Sequence, residues 1–198
     1  MPQISQNTFT SYNGLIISGG IIVDVPGICQ QEITIAAAES GEVATQNTSG
    51  TSIFTMVSAS ALTDSDIVDL VWSGGLRKAM DVESVDGATV SLSGGSGDDV
   101  PSAETAVRIG RCVDLIDTVP GDSLVSMGFV FSGAGRMDLR ASDASVIDYT
   151  LAANVPGGWM QGMGDNPIGS STIDTIRACN HATTSNTFKF GCGYNSGA

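Results

Sequence analysis

Between residues 64 and 109, strand and turn signals follow one another without a gap, and this stretch limits the possible folds more than any other. Ile67, Val68, Leu70, Val71 and Trp72 form a β-branched and aromatic run, and Ser73-Gly74-Gly75 supplies a turn that tolerates positive φ. Met80, Val82 and Val85 follow among Lys78, Asp81, Glu83 and Ser84. Asp86-Gly87 is the pair that a type I′ hairpin prefers, and Thr89-Val90-Ser91-Leu92 returns antiparallel. Gly94-Gly95-Ser96-Gly97-Asp98-Asp99 reads as a further turn, after which the rigid Pro101 leads into Thr105-Ala106-Val107-Arg108-Ile109. About four strands are packed into this short stretch, which calls for a compact barrel.

The flanking sequence continues in the same style. Residues 14–25 are the most apolar part of the chain and read as two core strands, and residues 30–35 alternate as a half-buried strand would. Residues 41–51 are polar and loop-like. Residues 124–131 have the length and composition of a buried strand, and Phe188, Phe190, Cys192 and Tyr194 share one face of another. No stretch sustains an apolar period of 3.6 residues. The expected fold is therefore all-β: a jelly-roll-like β-sandwich from residues 14–52 and 110–198, with a small SH3-like β-barrel module inserted at residues 53–109. The strands before residue 53 are too few to close a core alone and need those after Cys112 as partners. Residues 1–13 are polar and form an N-terminal arm that carries Phe9 and Tyr12.

Composition excludes several classes of function. The chain has 198 residues and a net charge of −13, spread over scattered acidic residues, against two lysines and six arginines. That balance opposes binding to nucleic acid or to anionic membranes, both of which rely on clustered basic residues. Residues 14–25 are broken by Gly19-Gly20 and fall short of the about 18 apolar residues that span a bilayer. The first residues lack the basic and long apolar regions of a secretory signal peptide. Cys29, Cys112, Cys179 and Cys192 match neither a zinc pattern nor a dense secreted scaffold, so they read as buried free thiols. Among them Cys179 and Cys192 are the pair best placed to form a bridge.

The motifs with chemical meaning each fail on a named residue. Gly121-Asp122-Ser123-Leu124 spells the nucleophile block of GDSL hydrolases, but its base would be a histidine three residues after an aspartate. The single histidine is His181, and Ala178 stands where that aspartate belongs, so His181 reads as a polar turn residue. Gly94 to Asp99 begin like a calcium nonapeptide, yet the pattern occurs once and Pro101 interrupts it. Asp64, Asp66 and Asp69 are spaced like ligands but lack the rest of an EF-hand loop, and read as solvated charges where a strand starts. No catalytic residue, metal ligand or cofactor is expected, and the chain is not read as an enzyme.

A β-rich, acidic, histidine-poor chain with a polar arm has the makings of an assembly component. The run from Val68 to Pro101, the following Thr105-Ala106-Val107-Arg108-Ile109 and the closing Phe188-Lys189-Phe190-Gly191-Cys192-Gly193-Tyr194 resemble virion structural proteins of tailed bacteriophages, in particular those that decorate or cement the head. The resemblance implies a capsid-binding homo-oligomer, partnered by the major capsid protein or neighbouring virion subunits, made in the host cytoplasm and located in the virion. Phe9, Tyr12 and the Gly-rich loop bearing Trp159, Met160 and Met163 are the candidate contact residues, because aromatic and methionine side chains on mobile segments suit an interface. The rival reading is a carbohydrate-binding or adhesive sandwich, with Trp159, Trp72 and Tyr194 as stacking platforms.

Overall fold

The computed structural model describes residues 27–115, 124–141, 146–160 and 173–194. These form thirteen strands and no helix: β1 (Gly27–Ile35), β2 (Glu39–Thr45), β3 (Ser52–Met56), β4 (Ile67–Trp72), β5 (Gly75–Asp86), β6 (Thr89–Gly97), β7 (Ala106–Leu115), β8 (Leu124–Phe131), β9 (Gly135–Ala141), β10 (Val146–Leu151), β11 (Gly157–Met160), β12 (Ile173–Asn180) and β13 (Asn186–Tyr194). Among the described residues no helix is long and apolar enough to cross a membrane. The chain divides into two compact units.

One unit comprises Ile35–Val113 and Cys179–Asn186. Its strands run in the order β7-β2-β3-β6-β5-β4, and β4 pairs again with β7, which closes a six-stranded barrel. Alternation builds the interior: in β3, Ser52, Phe54 and Met56 are buried while Ile53 and Thr55 face out. Phe54, Val68, Leu70, Met80, Val90, Leu92 and Ile109 meet in one apolar core, and Trp72 packs against its margin. The hairpin between β5 and β6 is present, with Asp86 opposite Thr89 and Gly87-Ala88 as the two-residue loop. Of those two only Gly87 has positive φ, at 58°, so the turn has the Gly-first pattern of type II′ rather than the type I′ expected from Asp86-Gly87.

Two expectations are corrected in this unit. Residues 41–45 are not loop but most of β2, and the barrel module begins near Ile35, not at residue 53. β2 buries only Val43 and exposes Ser40, Glu42 and Thr45, so it carries almost no hydrophobic signal. It is nevertheless required, because β7 and β3 bond to its two edges and without it the barrel stays open. Gly94 to Gly97 are likewise not a turn but the end of β6, paired with Arg77 to Met80. Arg77 holds them in place: its Nε donates to the Gly94 carbonyl at 2.8 Å and its terminal nitrogens to the carbonyls of Gly95 and Asp98.

The other unit comprises Met1–Thr34, Asp114–Ala178 and Thr187–Ala198. Its described part is a sheet β1-β13-β8-β11 and a second group of strands in the order β10-β9-β12. The Phe129 ring of β8 packs on Tyr149 of β10 at 5.1 Å between centroids, and Phe131 meets Phe188 of β13 edge to face at 6.1 Å. Met127, Met137, Leu139, Ile176 and Phe190 are buried with them. The face of β9 that carries Arg136 and Asp138 is buried as well. Arg136 pairs there with Asp138 and, at 3.0 Å, with Asp148.

Candidate functional site

The densest cluster of chemically capable side chains among the described residues lies in the barrel unit. It begins with an irregularity in β4. Val68 is opposite Met80 and Leu70 is opposite Arg77, so Lys78 and Ala79 together face the single residue Asp69. This is a β-bulge, and Ala79 takes the left-handed φ of 52° that a bulge position can require. Val68, Asp69 and Leu70 are all fully buried: Val68 and Leu70 point into the barrel core, while Asp69, opposite Gly110 of β7, lies on the outer face beside the returning 179–186 segment. Asp69 is therefore not the solvated charge expected from its spacing with Asp64 and Asp66. Its Oδ1 accepts the Ala79 amide at 2.9 Å, and its Oδ2 lies 2.8 Å from His181 Nε2. Asp66, by contrast, is partly exposed, accepts the Thr63 amide and pairs with Arg111 at 3.2 Å.

His181 is held by a polar knot on its N-terminal side. Asn180 is fully buried. Its Nδ2 donates to the carbonyls of Ala36 and Thr184, each at 2.8 Å, and its Oδ1 accepts the Ala182 amide and the Asn186 side chain. The turn after β12 is thereby pinned, and the Ala38 amide adds a bond to the Ala182 carbonyl. Gly110 of β7 permits the close approach. A Cβ there would lie 2.5 Å from the Asn180 carbonyl oxygen and 3.1 Å from the His181 ring.

Beside this pair Cys112 and Cys179 form a disulfide. The expectation of four free thiols is overturned, and so is the choice of Cys179 with Cys192. The physical reason is position: Cys112 is the last residue but one before the chain leaves the barrel unit, and Cys179 is the first residue after it returns. Separation of 67 residues along the sequence hid a contact that the return of the chain creates. The two sulfurs and an Asp69 carboxylate oxygen lie within 4.8 Å of one another.

A buried carboxylate that orients an imidazole supplies two of the three members of a hydrolytic triad. Ser123 of the Gly-Asp-Ser-Leu block lies outside the described residues, so no nucleophile is assigned to the pair. In the oxidised state its evident work is mechanical: Asp69 satisfies the bulge amide and anchors the returning turn through His181.

Phe9, Tyr12, Trp159, Met160 and Met163 are the contact residues expected from the sequence. Phe9, Tyr12 and Met163 fall outside the described residues. Trp159 and Met160 are not on a free loop but in β11, with Gly157 opposite Phe129 and Trp159 opposite Met127 of β8. Gly157 allows that pairing, since a Cβ there would strike the Phe129 ring at 2.3 Å. Trp72 belongs to the margin of the barrel core, and Tyr194 is paired with Leu124 through the backbone.

A second charged group occupies the other unit. Arg177 makes a bidentate pair with Asp114, its Nε at 2.5 Å and its Nη2 at 2.8 Å. Arg140 of β9 holds its proton less tightly than a free guanidinium, first because of burial and then because of the neighbouring positive charge of Arg177. Burial also raises the pKa of Tyr149.

Comparison with protein-family models, with curated proteins and with solved structures found no match.

Proposed function

We propose that this chain is a non-enzymatic virion structural protein of a tailed bacteriophage, which binds and stabilises the capsid as a head-decoration or cement subunit. The observation that carries the reading is the disulfide Cys112–Cys179 placed at the neck of a closed barrel. Such bonds persist on proteins that work in oxidising surroundings, virion surfaces among them, and are rare in proteins that stay in a reducing cytosol. A disulfide that staples the base of a long excursion of the chain adds durability, which a particle outside its host requires. The single histidine is engaged with Asp69, and the buried arginines are paired with carboxylates, so these groups brace the fold. The charge of −13 keeps free subunits apart and suits a partner lattice of opposite sign.

The partner would be the major capsid protein, and the subunit would act as a homo-oligomer. Particles banded on a density gradient from lysates of the encoding host provide the test. Quantitative mass spectrometry should find the chain at a fixed ratio to the major capsid protein, with Cys112 and Cys179 bonded in the same peptide pair. A chain absent from washed particles and recovered only with soluble lysate proteins overturns the reading.

A further inference from the structure

We propose that Cys112, Cys179 and Asp69 form a zinc-binding site once the disulfide is reduced, with His181 positioning the Asp69 carboxylate. Three donors converge from three strands, β7, β12 and β4, with the carboxylate oxygen and both sulfurs within 4.8 Å of one another. A tetrahedral zinc ion needs its sulfur and oxygen ligands about 3.5–3.8 Å apart, so parting the two sulfurs brings all three into range. Two thiolates beside a fully buried carboxylate bring three negative charges close together, an arrangement that a dication neutralises. Sulfur donors favour zinc over magnesium or calcium, which prefer all-oxygen sets.

The surroundings already fit a ligand. One oxygen of Asp69 accepts the Ala79 amide at 2.9 Å and the other faces His181 Nε2 at 2.8 Å, so the carboxylate is oriented before any ion arrives. Outer hydrogen bonds of this kind commonly set the affinity of a metal site. Three protein ligands leave one tetrahedral position to water. The chemistry balances without a further partner. A phosphine reductant takes up the oxygen of one water to become its oxide, the sulfur–sulfur bond receives two electrons and two protons, and zinc then displaces both thiol protons to solvent. The same side chains thereby hold the neck of the barrel in either state, by a covalent bond when oxidised and by an ion when reduced. This site does not depend on the virion reading, because its test uses the isolated chain.

The experiment is a cobalt titration of the full chain after phosphine reduction under anaerobic conditions, on the parent and on the Cys29→Ser/Cys192→Ser variant, in which only two thiols remain. One equivalent of cobalt should bind in both, with the thiolate-to-cobalt charge-transfer absorption, and zinc should displace it. The oxidised chain should show no such band. Asp69→Asn should weaken binding at least tenfold. His181→Ala should weaken it by about 10-fold or more, and His181→Gln, whose amide can still donate to Asp69, should recover part of that loss. The reduced parent carries every ligand, so its failure to develop the band overturns the proposal. So does a band lost in Cys29→Ser/Cys192→Ser, or an affinity unchanged in both Asp69→Asn and His181→Ala.

Discussion

The barrel buries one carboxylate and ties it to a histidine beside a covalent bridge, whereas the two-sheet unit buries an arginine and an aspartate side by side on β9 and has them neutralise one another. The difference follows from how each core is closed. In the barrel the interior is a single apolar cluster, and Asp69 stays outside it, on the outer face opposite Gly110, where His181 of the returning segment meets it. In the two-sheet unit both faces of β9 are covered, Met137 and Leu139 on one and Arg136 and Asp138 on the other, so a polar face had to become self-sufficient. One unit is thus braced by a bond that depends on redox state, the other by ion pairs that depend on both partners being present.

Breaking the bridge should have the largest effect, and it should fall on the barrel. Cys112→Ser/Cys179→Ser, measured without metal, releases a crosslink between residues 67 apart. The chain-entropy account assigns such a crosslink about 4 kcal/mol. Hydrogen exchange followed by mass spectrometry should show β4, β7 and the 179–186 segment losing protection first. Equal loss throughout the chain, or loss confined to β8 and β13, would contradict the division of labour drawn here.

A substitution in the other unit should be nearly as costly but of a different kind. Arg136→Ala leaves Asp138 buried without its guanidinium, and breaking such a pair costs about 3–5 kcal/mol. Asp148, which is more exposed, regains water and limits the loss. The apolar double variant Arg136→Met/Asp138→Leu should recover most of the stability, because replacing a whole buried pair is often neutral. Denaturant unfolding of the two variants decides the matter: if the double variant is no better than Arg136→Ala, the charges do more than satisfy each other.

Much of the barrel was legible in the sequence because its strands alternate: Met80 with Val82, the hairpin at Gly87, and Val90 with Leu92 all read directly into the core. Its boundary was not, since β2 contributes only Val43 to the interior and is recruited by pairing rather than by hydrophobicity. The site was hidden for a related reason. Asp69 sits in the run Ile67-Val68-Asp69-Leu70-Val71-Trp72, and a lone carboxylate inside an apolar strand was itself the available signal. Alternation cannot reveal it, because Asp69 alternates as an outward residue between Val68 and Leu70, and only the returning 179–186 segment covers that face. The sequence Cys179-Asn180-His181 offered a second hint in a chain with one histidine. Its partners on β4 and β7 are distant in sequence, and only the return of the chain brings them together.

The smallest expected effect concerns pH, and it separates the units once more. Burial raises the pKa of Tyr149 above its usual value near 10, so the folded state keeps the phenol proton more tightly than the unfolded chain does. Above that usual value the unfolded state therefore binds fewer protons than the native state, and stability falls as pH rises further. Below it the contribution is fully present. Because the ring lies against Phe129, the loss belongs to the two-sheet unit and should leave the barrel unaffected. Thermal unfolding of the parent and of Tyr149→Phe, compared between pH 8 and pH 11, tests this. The variant keeps the ring contact but has no proton to lose, so its midpoint should decline less steeply on the alkaline side. Identical slopes would mean that the phenol is already well solvated in the folded chain, and that the face joining β8 to β10 is wetter than the packing of Phe129 on Tyr149 implies.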